Sequence, residues 1–183
     1  MSLDKLKAKL EAIKAAQSNQ SSSGESRDGL IWKPQPGKQI IRILPNKFTE
    51  PGYPFVELYF YYDFGKTWVS PSSFGEFDPI INYCNSLLDG KKVDKEEFKR
   101  IKALERKLLP KVRYYVPILV RGQEQEGVKF WGFGVQNFTR LGDIFTDDDY
   151  GDISELKTGR DITVEYIPAT KDGEFPKTNI LVK

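Results

Sequence analysis

Short apolar and alternating runs predominate along this chain, interrupted by helices but without the regular strand-helix alternation that parallel strand pairs require. From Phe55 to Tyr62 the alternation is strict: Val56, Leu58, Phe60 and Tyr62 share one face, and Phe55, Glu57, Tyr59 and Tyr61 the other. Rings fall on both faces. Asp63, Phe64, Gly65 and Lys66 supply a turn back into Thr67, Trp68 and Val69, the pattern of a hairpin. Gln39 to Leu44 is apolar and β-branched, and the segment between Val112 to Arg121 and Val128 to Phe133 is short enough to make those runs neighbours. Asp161 to Ile167 and Thr178 to Val182 bracket an Asp-Gly reversal at Asp172 and Gly173. Many short strands, two inserted helices and no regular strand-helix alternation predict a mainly β fold, a small antiparallel barrel in preference to a doubly wound sheet.

Asp78 before Pro79 signals a helix start, Ile80, Ile81, Cys84, Leu87 and Leu88 form its apolar face, and Gly90 closes it. Asp94 with Glu97 resembles a capping box, and Phe98, Ile101, Leu104 or Glu105, and Leu108 keep helical spacing until Pro110. Phe138, Leu141, Ile144 and Phe145 form a shorter helical patch. At the start of the chain Leu3, Leu6, Leu10 and Ile13 recur at spacings of three, four and three, with Lys5, Lys7, Lys9 and Lys14 between them. This predicts an amphipathic helix with a basic side over residues 1–17. Residues 18–29 are too polar to pack and read as a flexible linker, which leaves residues 30–183 as the folded domain and the first helix as an arm.

Composition excludes much chemistry. The chain has no His and one Cys, Cys84, which removes imidazole general bases, Ser-His-Asp and Cys-His catalysis, internal disulfides and the usual four-ligand zinc sites. No apolar run approaches the roughly 18 residues that span a bilayer, and the N-terminus lacks the apolar segment of a signal peptide, so a soluble, cytoplasmic protein without a membrane partner is expected. The 3 Trp, 9 Tyr and 12 Phe exceed what a core of this size has to use, and some therefore belong on a surface.

The net charge is only +2, yet charge is segregated. Between Lys91 and Arg121 eleven basic residues face four acidic ones, while Asp143 to Glu155 holds six acids and no base. A basic stripe suits a phosphodiester backbone, because each neutralised phosphate releases condensed counterions; a solvated helix face is the other reading of its helical part. In Val112 to Arg121 one alternate set is Val112, Tyr114, Val116, Ile118 and Val120, and the other is Arg113, Tyr115, Pro117, Leu119 and Arg121. In Val128 to Phe133 the set Lys129, Trp131, Phe133 likewise mixes a cation with rings. Neighbouring strands that each display a cation beside an aromatic are what an unpaired nucleic-acid strand needs, since bases stack on rings while Lys and Arg hold phosphates. Trp131 and Phe133 have a second reading, as a core layer beneath a loop or helix. Asp147, Asp148, Asp149 and Asp152 offer oxygen ligands but lack the glycine and the bidentate Glu of an EF-hand loop, and read as an acidic surface loop. Neither a phosphate loop nor a dinucleotide fingerprint is present.

A family likeness runs in order from about Leu30 onward: Trp32, Lys33, Ile40 to Pro45, Lys47, Gly65, Lys66, Trp68, the Ser72 to Asp78 segment, Tyr114 to Val120, and Glu126 to Gly134. In these pieces the chain resembles the single-stranded DNA-binding proteins of T4-like bacteriophages. The resemblance implies an OB-fold core, no catalysis and no cofactor, and a basic, aromatic-lined cleft for unpaired DNA during phage replication, recombination and repair in the cytoplasm of the infected bacterial cell. Carried over by position it points to Arg42, Lys111, Tyr114, Tyr115, Trp131 and Phe77 as DNA-binding residues, beside Arg113, Arg121 and Lys129 from the charge pattern. Tyr114 and Tyr115 fall on opposite faces of their strand, and the sequence leaves open which one meets DNA.

Three departures accompany the likeness. The family's zinc-holding Cys/His cluster is replaced by Phe74, Phe77, Ile80, Ile81, Tyr83 and Cys84, which predicts folding without metal through a local apolar cluster. The family's acidic C-terminal tail has no counterpart before Lys183, and its basic N-terminal arm has only Lys5, Lys7, Lys9 and Lys14 in its place. The implied partners are single-stranded DNA, neighbouring copies on that DNA, and other phage replication proteins. An OB-like module for protein or oligosaccharide, and an enzyme using paired carboxylates with a divalent metal, are the competing readings.

Overall fold

A computed structural model describes residues 29–183 apart from Pro51, Asp63, Phe64 and Asp172. The basic helix expected over residues 1–17, with Lys5, Lys7, Lys9 and Lys14, and nearly all of the linker after it lie outside the described residues. Eight strands follow: β1 (Ile31–Trp32), β2 (Gly37–Ile43), β3 (Val56–Tyr61), β4 (Trp68–Val69), β5 (Lys111–Val120), β6 (Lys129–Phe133), β7 (Asp161–Ile167) and β8 (Lys177–Val182). Three helices interrupt them: α1 (Pro79–Ser86), α2 (Lys95–Leu108) and α3 (Val135–Phe145). Among the described residues no helix is long and apolar enough to cross a membrane.

The helix start signals act as expected. Asp78 accepts from the Ile80 and Ile81 N–H groups at the head of α1, and Asp94 accepts from Glu96 and Glu97 at the head of α2, which satisfies donors that have no partner inside the helix. The patch at Phe138 to Phe145 belongs to a full helix, α3, that begins at Val135.

The strands form one sheet in the order β1-β6-β5-β2-β7-β8, with β3 beside β5 and β4 beside β3. The barrel expectation needs correction: β1 and β8 end the path, so the ladders do not close, and β1 runs parallel to β6, so the sheet is mixed. The long strand β5 explains the shape. Its Lys111 to Tyr115 half pairs with β3, its Ile118 to Val120 end pairs with β2 along the same edge, and β6 takes the opposite edge. Pro117 sits where β3 gives way to β2. Its carbonyl accepts from the Leu44 N–H on that edge, so the donor that proline lacks is missing where no continuous ladder would use it.

Directly opposed residues of paired strands share a face, and this sorts the sheet into two sides. The inward side carries Ile41 and Ile43 of β2, Val116 and Ile118 of β5, and Ile162 and Val164 of β7, all with no exposed surface. Helix α3 covers this side through Leu141 and Phe138. The Phe138 ring stacks on Tyr114 at 3.8 Å between centroids, and Phe55 packs edge-on against Phe133, Phe138 and Phe145. One connected core results, reaching from Trp32 to Ile180.

The zinc implied by the family likeness does not fit this chain. Between Val69 and Ser86 the candidate donors are Glu76, Asp78 and Cys84, and among the described residues no three such groups converge; Glu76 is exposed, Cys84 is buried, and the Asp78 carboxylate is spent on protein hydrogen bonds. Tyr61 Oη donates to it at 2.7 Å, Ser70 Oγ donates to the same oxygen, and the Ile80 and Ile81 N–H groups donate to the other. One buried carboxylate thus ties β3, the turn after β4 and α1 together. Burial pushes the Asp78 carboxyl up, but the bonds from Ser70, Tyr61, Ile81 and Ile80 outweigh it and hold it below its ordinary value of 3.8. The same contact and its own burial push the Tyr61 hydroxyl up to about 12.

Asp78→Ala leaves two hydroxyls and two N–H groups without their acceptor and is expected to cost about 3 kcal/mol of stability, measured by denaturant unfolding. Because the folded-state carboxyl is held low, its contribution is complete above its ordinary value of 3.8 and is lost as pH falls toward the folded-state value. Over that acid range the alanine variant should show a flatter stability profile than the parent.

Candidate nucleic-acid interface

The side of the sheet away from α3 is built from β3, β5 and β6. Register aligns Phe60 with Lys111, Leu58 with Arg113 and Val56 with Tyr115, while on the other edge Gly132 lies opposite Tyr115 and Phe130 opposite Pro117. Lys111, Arg113, Tyr115, Pro117 and Leu119 therefore stand in one row, with Phe60 to one side and Phe130 to the other. Tyr115 leans across Gly132. A Cβ built on that glycine would lie 2.6 Å from the tyrosine ring, so only glycine lets the ring settle flat over the neighbouring strand. Phe60 reaches the Tyr115 ring at 6.2 Å and stacks with Tyr62, half-exposed, at 6.2 Å. The result is a partly exposed apolar and aromatic surface running from Phe130 over Tyr115 to Phe60 and Tyr62.

Cations border it. Lys111 is exposed at the start of β5, with Nζ on the Arg106 carbonyl at 2.6 Å. Arg113 lies beside Tyr115 and donates from Nη2 to the Gly132 carbonyl at 3.4 Å. Burial raises the Tyr115 pKa, and the Arg113 charge opposes that rise. Arg113 also opens a groove of about 1130 Å³ between α3 and the turn joining β7 to β8, bordered by Asn137, Arg140, Phe175 and Lys177. Arg140 fixes one wall by donating to the Thr178 carbonyl and Asn179 Oδ1, and Phe175 stands 85% exposed on the other.

The residues selected from sequence separate into three groups. Lys111, Arg113 and Tyr115 come together on the aromatic side, and Phe77 is strongly exposed just before α1. Arg42 and Arg121 share that side at the far end of β5, but both are engaged. Arg42 Nη2 donates to the Glu155 carbonyl at 2.7 Å, and Arg121 makes two bonds to Asp161 at 3.0 and 2.8 Å. Gly159 passes so close to the Arg42 guanidinium that a Cβ there would lie 2.7 Å from Nη2.

Tyr114, Trp131 and Lys129 require correction. Tyr114 lies in the inward row under Phe138, whereas Tyr115 lies on the open side. Trp131 is opposed to Val116 in the same inward row, is 1% exposed and meets Trp32 edge-on at 5.6 Å; Phe133 follows it into the core. Lys129 is on the inward row too, at its margin, where it pairs with Glu126. Alternation identifies two sets of residues in β6 but carries no label for which set faces the core. The larger apolar set won, since two buried indole and phenyl rings remove more apolar area from water than Phe130 and Gly132 can. Sequence reasoning also missed the surface placement of Phe60, Phe130 and Phe175 and the groove cations Arg140 and Lys177. One signal was available for Phe130: a glycine inside a strand pattern, Gly132, marks a close approach from a neighbour.

The model of one protein family, described as gp32 DNA binding protein like, matches residues 35–178. No curated protein matches the chain.

Two substitutions separate surface from core. Trp131→Ala is expected to lower stability by roughly 3–5 kcal/mol in denaturant unfolding, as for other large buried rings. Gly132→Ala should leave the fold intact but push the Tyr115 ring off its neighbour, seen as a changed tyrosine environment in near-ultraviolet circular dichroism.

Proposed function

The chain belongs to the gp32-like DNA-binding proteins, and from that premise we propose that it binds unpaired DNA without chemistry of its own, coating and protecting single strands. The observation that carries this reading is Tyr115 lying flat over Gly132, between Phe60 and Phe130, with Arg113 and Lys111 at its side. A ring accepts any base by stacking, and cations beside it accept the phosphates between bases, so such a surface holds a strand without reading its sequence. A duplex keeps its bases stacked on one another and gains nothing from the rings. The groove past Arg113 adds the cations Arg140 and Lys177 and the ring of Phe175, with Asp143 and Glu174 also on its walls, and in this reading it extends the path of the strand.

In this reading the sheet is an open member of the OB type, a fold whose barrel is often incomplete, and the service of β5 to two successive neighbours along one edge supports it. The biological setting is phage replication, recombination and repair in the cytoplasm of the infected bacterium, with other replication proteins as partners. Lys5, Lys7, Lys9 and Lys14 are assigned to contact between neighbouring copies on the strand.

Fluorescence titration with oligo-dT at several salt concentrations tests the proposal. Affinity should fall steeply with salt and exceed that for a duplex of equal length; equal affinity for duplex, or binding indifferent to salt, would overturn it. Tyr115→Ala should cost roughly 1–3 kcal/mol without changing the salt slope, whereas Lys111→Ala and Arg113→Ala should each reduce the slope by about one unit. Arg121→Ala should change the slope less, because that guanidinium is already held by Asp161.

A further inference from the structure

The groove between α3 and the turn joining β7 to β8 is more than a track for phosphates. Arg113, Arg140 and Lys177 bring three positive charges to its walls, and Asp143 and Glu174 bring two negative ones, so a space of about 1130 Å³ carries a net charge of only +1. On each wall a carboxylate stands three positions from a cation, Asp143 from Arg140 on α3 and Glu174 from Lys177 on the turn. This leaves Arg113, at the end nearest Tyr115, as the cation without an acidic counterpart. A phosphate therefore gains most at that mouth, and the interior suits a neutral polar group.

The interior also holds the means to bind one. Three carboxamides line it: Gln136 and Asn137 in the first turn of α3, and Asn179 on β8. Asn179 is occupied, since its Oδ1 accepts from Arg140 and its Nδ2 donates to Glu165 at 3.2 Å. The Thr139 hydroxyl is turned back onto the Val135 carbonyl at 3.0 Å. Gln136 is exposed and Asn137 half-buried, and neither side chain makes a hydrogen bond among the described residues. The exposed ring of Phe175 stands on the opposite wall.

A carboxamide presents an acceptor and a donor side by side, and the Watson–Crick edge of every base carries a donor next to an acceptor. A rotatable Gln or Asn can match any base in this way, provided that the edge is free. In a duplex the edge is taken by the complementary base.

We propose that the groove admits one base of the bound strand, its ring against Phe175, its Watson–Crick edge on Gln136 and Asn137, and its flanking phosphate at Arg113. The groove then senses the unpaired state itself, whatever the base, and adds a second means of rejecting duplex to the stacking at Tyr115. The inference rests on the single-strand reading above.

The test uses the full chain and two oligomers of equal length, oligo-dT and oligo-N3-methylthymidine, whose methyl group blocks the edge and leaves a ring to stack and every phosphate in place. The parent should bind the methylated oligomer roughly tenfold less tightly, the scale of one or two hydrogen bonds, with the salt slope unchanged. Gln136→Ala with Asn137→Ala should lose the same factor on oligo-dT and become indifferent to the methyl group. Equal binding of the two oligomers by the parent overturns the proposal whatever the variant does. A methyl penalty that persists in full in the double variant also overturns it, because the edge is then met elsewhere. Salt-dependent binding of oligo-dT without a methyl effect removes this inference alone, whereas failure of the parent to bind oligo-dT removes the single-strand reading and the inference with it.

Discussion

Strand β5 pairs with β3, β2 and β6, and nearly everything else in the molecule is placed by that triple engagement. Its inward row of Tyr114, Val116, Ile118 and Val120 must be covered, and α3 together with β2 and β7 provides the cover. Once that row is buried, the alternate row is committed to the opposite side. Lys111, Arg113 and Tyr115 therefore owe their exposure to the burial of their immediate neighbours. The open cation-aromatic surface and the core are two faces of one strand, and a change in its register would exchange them.

Positive charge in this chain does two kinds of work. Arg42 and Arg121 converge on Asp161 and on the backbone of the loop before it, so they close one end of the sheet and are largely spoken for. Among the described residues Lys111 and Arg113 have only backbone carbonyls as partners, which satisfy a hydrogen bond without cancelling a charge. A phosphate approaching the aromatic side meets the second pair at nearly full strength. Nearness to the surface in the fold does not make the four cations equivalent, and the carboxylate partners are what distinguish them.

The segment from Val69 to Ser86 shows how one buried carboxylate replaces a cross-link. Asp78 gathers two side-chain hydroxyls and two backbone N–H groups, with Cys84 buried close by on the same helix. Every bond is charge-assisted, and the two from Tyr61 and Ser70 are buried, the condition under which hydrogen bonds are strongest. Phe74 and Phe77 project from either side of this anchor with most of their surface exposed.

Local chemistry was sufficient for several features. Period-two alternation located β3, β5 and β6, and the caps at Asp78 and Asp94 marked the heads of α1 and α2, because these signals depend on neighbours within a few residues. The cation and aromatic character of the interface was visible at Lys111, Arg113 and Tyr115 for the same reason. Contacts between distant segments decided the rest. The parallel pairing of β1 with β6 that carries Trp32 to Trp131, the α3 ring that claims Tyr114, and the Asp161 carboxylate that claims Arg121 join residues 24 to 99 positions apart. Alternation divides a strand into two sets without a sign, and the sign is set by whichever set finds more apolar surface across the fold. That is why Tyr115 reaches solvent while Trp131, one residue before its register partner Gly132 and on the other face, does not.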